Sequence, residues 1–111
     1  MKRDYKLYLQ DIRESVNNIE EYIKDVSEED FKKDKKLQDA VIRRLEIIGE
    51  ASRNIPKSLK EKNKHINWFE LSQFRDLVAH SYYELSVNRV WKTAIERIPL
   101  IKDGMKKITL V

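Results

Sequence analysis

The 111-residue sequence has no cysteine, only two glycines and two prolines, and only two histidines. Without cysteine there are no disulfides, no thiolate metal site and no cysteine nucleophile. So few glycines and prolines leave little material for tight turns, which argues against a β-sandwich or barrel. No apolar run approaches the length of a membrane span, and the opening MKRDYKLYLQ carries charges throughout. That pattern is not a secretory signal, so a cytoplasmic protein with no membrane association is expected. Two histidines in separate segments, without patterned carboxylates, do not suggest a metal site. No glycine-rich phosphate loop occurs, so ATP chemistry would belong to a partner and no cofactor is expected.

Charge is what the sequence has in quantity: 38% of residues are Asp, Glu, Lys or Arg, with a formal net charge of +4. At this length one domain is expected, spanning 1–111. Long helices with solvated outer faces fit the charge content, and a coiled-coil rod is the structural rival. The modest positive excess permits an RNA partner without demanding one. Abundant Lys and Glu fit a thermophilic source equally well. A core of this size is shallow, so a site secluded from water is easier to build between two copies than inside one.

Four segments have helical periodicity. Tyr5, Tyr8, Ile12, Val16, Ile19, Ile23 and Val26 draw one apolar stripe, stopped at Ser27, where SEED reads as a helix cap. A short helix over 28–33 follows, then a long one with Leu37, Val41, Leu45, Ile48 and Ala51 on one face. Gly49 inside it costs about 1 kcal/mol relative to Ala, and the expected compensation is close approach by another helix. Pro56 suits the first turn of a short helix in the break between Asn54 and Asn67. Asn67 and Glu70 have the spacing of a capping box for a third long helix, from Trp68 to about His80 or Ser81. Ser86 is a plausible cap for the last helix, where Val87, Trp91, Ala94, Ile98, Ile101, Met105 and Ile108 recur and Pro99 should introduce a kink. The expected fold is an all-α, four-to-five-helix up-and-down bundle.

FRDLVAHSYYEL holds the only concentration of reactive side chains: Arg75, His80 and Tyr82 in the pattern R-x4-H-x-Y. At random this would arise on the order of once in a hundred such sequences. Histidine titrates near neutrality and can take up and return a proton. Arginine offers a permanently charged planar fork that matches a phosphate. Together they suit transesterification of an RNA phosphodiester. Five residues along an ideal helix is about 500°, which points Arg75 and His80 roughly 140° apart. Either the helix ends near His80, or two copies of the motif meet across a two-fold axis. The plain reading keeps Arg75 and Asp76 as surface charges, His80 as a cation at a helix C-terminus and Tyr82 as a packed aromatic. His65 reads as a solvated loop residue, and Trp68 and Trp91 as core or dimer-face residues. The lysine runs KKDKK and KSLKEKNK read as solvated faces that could attract a phosphate backbone.

The blocks RRLEIIGEASRNIP, INW, RDLVAHSYY and VW, in that order, resemble the HepT branch of the HEPN family. The likeness covers nearly all of the chain from Arg43 onward, and the first helix agrees in length and pattern only. It implies a HEPN-like helical homodimer and a toxin of a type VII-like toxin–antitoxin pair, acting as a metal-independent endoribonuclease. Arg75 and His80 would be catalytic, at the dimer interface. The family commonly has a polar residue after the arginine, often Asn, and Asp76 stands here as a possible supporting residue. The resemblance further implies a partner, a nucleotidyltransferase antitoxin of the MntA type, which transfers AMP to the motif tyrosine, here Tyr82. The alternative is a non-catalytic HEPN subunit that binds such a nucleotidyltransferase.

Overall fold

The computed structural model describes residues 3–79 and 84–110, with the backbone alone for 77–79 and 84–86. Every regular element among them is helical. Helix α1 (Tyr5–Ile23) is followed by α2 (Glu28–Lys33), α3 (Lys35–Arg53), α4 (Lys57–Lys62), α5 (Trp68–Ala79) and α6 (Glu84–Lys92). A π-helical turn (Thr93–Arg97) joins α6 directly to α7 (Ile98–Lys106). Four long rods, two short helices between them and no strand make the chain an all-α bundle of HEPN-like type. Among the described residues no helix is long and apolar enough to cross a membrane.

The caps follow from side-chain chemistry. Asp4 accepts from the Lys6 amide at 2.9 Å, and Ser27 accepts from the Asp30 amide at 3.1 Å, as SEED suggested. Asp34 caps α3 by accepting from the Leu37 amide at 3.0 Å. Helix α1 ends at Ile23, short of Ser27, because Asp25 takes a left-handed conformation with φ of 61°. Asp tolerates that region better than most residues because its short side chain can bond locally. Val26 still packs against the core from the turn.

The apolar stripes meet around α3. Val41, Leu45 and Ile48 of α3 are fully buried, as are Ile12 and Ile19 of α1, Leu71 of α5, and Ala94 and Ile98 of the last rod. Each large side chain so buried contributes about 1.5–3 kcal/mol relative to exposure. Helix α3 packs between α1 and α5, and α1 also packs on α7. Lys102 donates to Glu20 at 2.6 Å and Arg13 to the Met105 carbonyl at 3.2 Å across the α1–α7 contact. Phe31 stacks at a tilt on Trp91, with ring centroids 5.0 Å apart. Trp91 thus belongs to the core margin.

Pro99 disturbs the rod by way of a widened turn just before it. A proline removes one ladder donor and crowds the carbonyl four residues back, which is Ile95 here. The Ile98 amide instead reaches the Thr93 carbonyl, one residue further than in an α-helix, and the widened turn carries the rod past the proline. Ser86 is not the cap of this rod, because the helical backbone already begins at Glu84. At the opposite end, Asn63 is fully buried. Its amide nitrogen donates to the Leu59 and Thr109 carbonyls, both at 2.9 Å, and its oxygen accepts from the Thr109 amide at 2.7 Å. One side chain thereby ties the end of α4 to the residues after α7.

Helices α3 and α5 approach each other closely at Gly49. A β-carbon placed there would lie 3.2 Å from the Arg75 backbone nitrogen and 3.4 Å from the Leu71 carbonyl oxygen. Helix α5 therefore rests on the bare backbone of α3. Urea unfolding tests this packing with three variants. Gly49→Val should destabilise the chain by about 1–3 kcal/mol through overpacking. Gly49→Ala should lie within about 1 kcal/mol of native, because the gain in helix propensity offsets a tight contact. Asn63→Ala should cost about 1–3 kcal/mol, since it leaves the buried Leu59 carbonyl without this partner and unties the residues after α7.

Candidate functional site

The site is carried by α5. Asn67 accepts from the Glu70 amide at 3.0 Å, so the helix starts where the capping spacing placed it. The reciprocal half of the capping box does not form. Glu70 turns instead to Arg97, which donates from Nε at 2.9 Å and from Nη2 at 3.1 Å. A bidentate, charge-assisted pair is worth more than a bond to one neutral amide, so the carboxylate crosses to the last rod. Trp68 is half-buried against the core, and its indole donates to the Asn63 carbonyl at 3.1 Å. Its polar edge is therefore satisfied within the fold.

Leu71 and Phe74 anchor α5 with 0% and 5% exposure. Arg75 is the next residue, with its backbone nitrogen and Cγ against Gly49 and the side chain as a whole exposed. Among the described residues no carboxylate pairs with it. Its guanidinium is thus fixed at the base by helix packing and open at the tip. A cation so placed can meet a phosphate without first breaking an internal ion pair.

Asp76 is exposed too but takes another direction, about 100° further around the helix. It lines a groove of about 330 Å³ whose α5 wall is Glu70, Gln73, Phe74 and Asp76. The opposite wall is Arg89, Thr93 and Arg97 of the last rod. Asp76 also has an interaction partner of its own. Arg75 is not part of that lining, so the two neighbouring motif residues serve different surfaces of α5. The sequence pattern gave no sign of Arg89 or of this groove, because α5 and α6 face each other only through tertiary packing.

His80 and Tyr82 lie outside the described residues. The other histidine, His65, is exposed in the α4–α5 loop, and its Nε2 is 3.0 Å from the Gly104 carbonyl. It thereby contacts the end of α7. Among the described residues no three His, Asp or Glu side chains gather as a metal site would require.

Comparison with known proteins places the whole chain. The family model described as Ribonuclease HepT-like matches residues 12–108. A Thermococcus cleftensis protein named "Probable ribonuclease HepT" is 47% identical over 108 residues, covering 97% of this chain and 98% of that protein. A Methanocaldococcus jannaschii protein named "Gamma-glutamylcyclotransferase and putative RNase" is 45% identical over 108 residues. That match takes in 97% of this chain but only 49% of the relative, so the chain spans about half of that longer protein. No solved structure matches the chain significantly. An all-helical bundle built around the α3–α5 crossing, matched by this family over nearly its full length, belongs to the HepT-like ribonuclease family of HEPN proteins.

Proposed function

We propose that the chain is a metal-independent endoribonuclease, the toxin of a toxin–antitoxin pair, working in the cytoplasm as a homodimer. The observation that carries this reading is Arg75. It is exposed, without an ion-pair partner among the described residues, and seated by its backbone on Gly49. The relatives' names, which include ribonuclease and RNase, supply the substrate class.

The chemistry needs two groups. His80 removes the proton from the ribose 2′-hydroxyl, whose oxygen attacks the adjacent phosphorus. The bond from phosphorus to the 5′-oxygen breaks, and that oxygen receives a proton from the imidazolium. The products are a 2′,3′-cyclic phosphate and a 5′-hydroxyl. Arg75 stabilises the extra negative charge on the pentacoordinate phosphorus, a larger charge than the ground-state phosphodiester carries. Because Arg75 and His80 diverge by about 140° on a continuous helix, a two-fold pairing of motifs supplies the most direct convergence. Asp76 contacts no RNA phosphate in this scheme, since it faces the α5–α6 groove.

Tyr82 is the switch. A nucleotidyltransferase antitoxin of the MntA type transfers AMP from ATP to its hydroxyl: the phenolic oxygen attacks the α-phosphorus and pyrophosphate leaves. Each added phosphate brings negative charge to a place that must receive the substrate phosphate, and can itself pair with Arg75.

Purified protein, incubated with total cellular RNA in EDTA, should cleave it. His80→Ala should lower the rate by about 10²–10⁴-fold and Arg75→Ala by a comparable factor, read by gel or fluorogenic substrate. Unchanged cleavage in both variants would remove Arg75 and His80 from the mechanism, and none by native protein shown by mass to be free of AMP would favour the non-catalytic binding subunit. Tyr82→Phe should cleave normally yet escape silencing by the nucleotidyltransferase and ATP, with no mass gain at that residue.

A further inference from the structure

The α5–α6 groove is not needed for the bond-breaking step, and its chemistry is distinct from that of Arg75. We propose that it is a base-recognition subsite, in which Arg89 reads a nucleobase of the RNA strand, with guanine preferred. The proposal deepens the ribonuclease reading and rests on it for the identity of the ligand.

The groove measures about 330 Å³, at the lower end of the roughly 300–1,000 Å³ typical of small-ligand sites. That suits one nucleotide unit rather than a larger molecule. Charge decides which part of the nucleotide. Two arginines, Arg89 and Arg97, face two acids, Glu70 and Asp76, so the lining has no net formal charge. A phosphate subsite is expected to be net positive. A base edge instead presents donors and acceptors side by side, and unstacked bases are recognised by hydrogen bonds along those edges.

The individual groups fit that task. Arg97 and Glu70 hold each other in the bidentate pair, which makes them a fixed wall rather than free ligands. Arg89 is exposed, and among the described residues no carboxylate pairs with it. Its free guanidinium matches the paired acceptors O6 and N7 of guanine. Gln73 is exposed on the facing wall and offers both a donor and an acceptor. The Thr93 hydroxyl donates to the Arg89 carbonyl at 2.8 Å, which leaves its oxygen lone pairs able to accept. The π turn that carries the rod past Pro99 contains Thr93 and Arg97, so the irregular turn itself forms part of the wall; π turns recur at functional sites.

Position links the groove to the reaction. Asp76 lines it and Arg75 is the adjacent residue, with Cα atoms about 3.8 Å apart. A strand whose phosphate meets Arg75 therefore needs little extra length to set a neighbouring base beside Asp76 and Arg89.

The test uses the full chain and 2′-O-methyl hexanucleotides, uracil throughout except for one central position that carries guanine, adenine, cytosine or uracil. The 2′-methyl groups block the cleaving nucleophile, so fluorescence anisotropy reads binding alone. The native chain should bind the guanine oligonucleotide about 5- to 100-fold more tightly than the others. Arg89→Ala should bind all four equally. Arg89→Lys, which keeps the charge and loses the fork, should also lose the preference; matching circular dichroism and unfolding midpoints would establish that both variants are folded. Absence of preference in the native chain, or its survival in Arg89→Ala, would overturn the proposal. So would a uniform loss of affinity for all four with a shallower salt dependence, which would make Arg89 a phosphate contact. Cleavage of unmodified RNA, followed in parallel, separates the two readings. Guanine-selective binding without cleavage keeps the groove and removes the nuclease, whereas cleavage without selective binding does the reverse.

Discussion

The contact between α5 and the bare backbone of α3 at Gly49 governs the rest of the structure. At this crossing a side chain would meet backbone atoms of Leu71 and Arg75, which cannot rotate aside as a flexible side chain can. The crossing sets how deeply Leu71 and Phe74 enter the core, and it fixes the origin of the Arg75 side chain. It also decides the angle at which the outer face of α5 meets the last rod, where the Glu70–Arg97 pair closes the second side. A glycine is a costly choice in a helix interior, by about 1 kcal/mol. Its compensation here lies in tertiary packing and in the placement of one functional side chain.

Two neighbouring residues illustrate how a helix divides its work. Arg75 leaves α5 on the α3 side and carries an open positive charge, while Asp76 lines the groove toward α6. One step of about 100° separates an exposed cation from a polar groove with no net formal charge. The carboxylate of Asp76 is thus close to Arg75 in sequence but faces another surface. On the proposed function, cleavage and recognition would draw on different faces of one helix, and substitution in the groove would alter choice of substrate without disturbing the attacking group.

The parts of the fold legible in the sequence were those set by local chemistry. The stripe from Tyr5 to Ile23, the cap at Ser27 and the start of α5 at Asn67 follow from periodicity and from which side chains can accept from an exposed amide. Close approach at Gly49 was also legible, because a glycine in an otherwise good helix needs a reason. What escaped depended on a distant partner. Glu70 has the spacing of a capping residue, but Arg97 lies 27 positions away and wins the carboxylate. Pro99 announces a disturbance, yet its form, a π turn, goes with the core that the rod keeps covering with Ala94, Ile98 and Ile101. The left-handed turn at Asp25 and the helical backbone already present at Glu84, ahead of Ser86, are likewise tertiary outcomes. For the site, Arg75 was recognisable by its motif, whereas Arg89 belongs to no motif and becomes visible only when α5 and α6 are brought together.

The account stands or falls on the mode of phosphodiester cleavage. The most direct measurement is mass spectrometry of the ends produced when the native chain cuts a defined single-stranded RNA in EDTA. Attack by the 2′-hydroxyl, assisted by an imidazole and a guanidinium, predicts a 2′,3′-cyclic phosphate on one fragment and a 5′-hydroxyl on the other. Fragments ending in a 3′-hydroxyl and a 5′-phosphate would mean that water, not the ribose, is the nucleophile, and would contradict the mechanism assigned to Arg75 and His80.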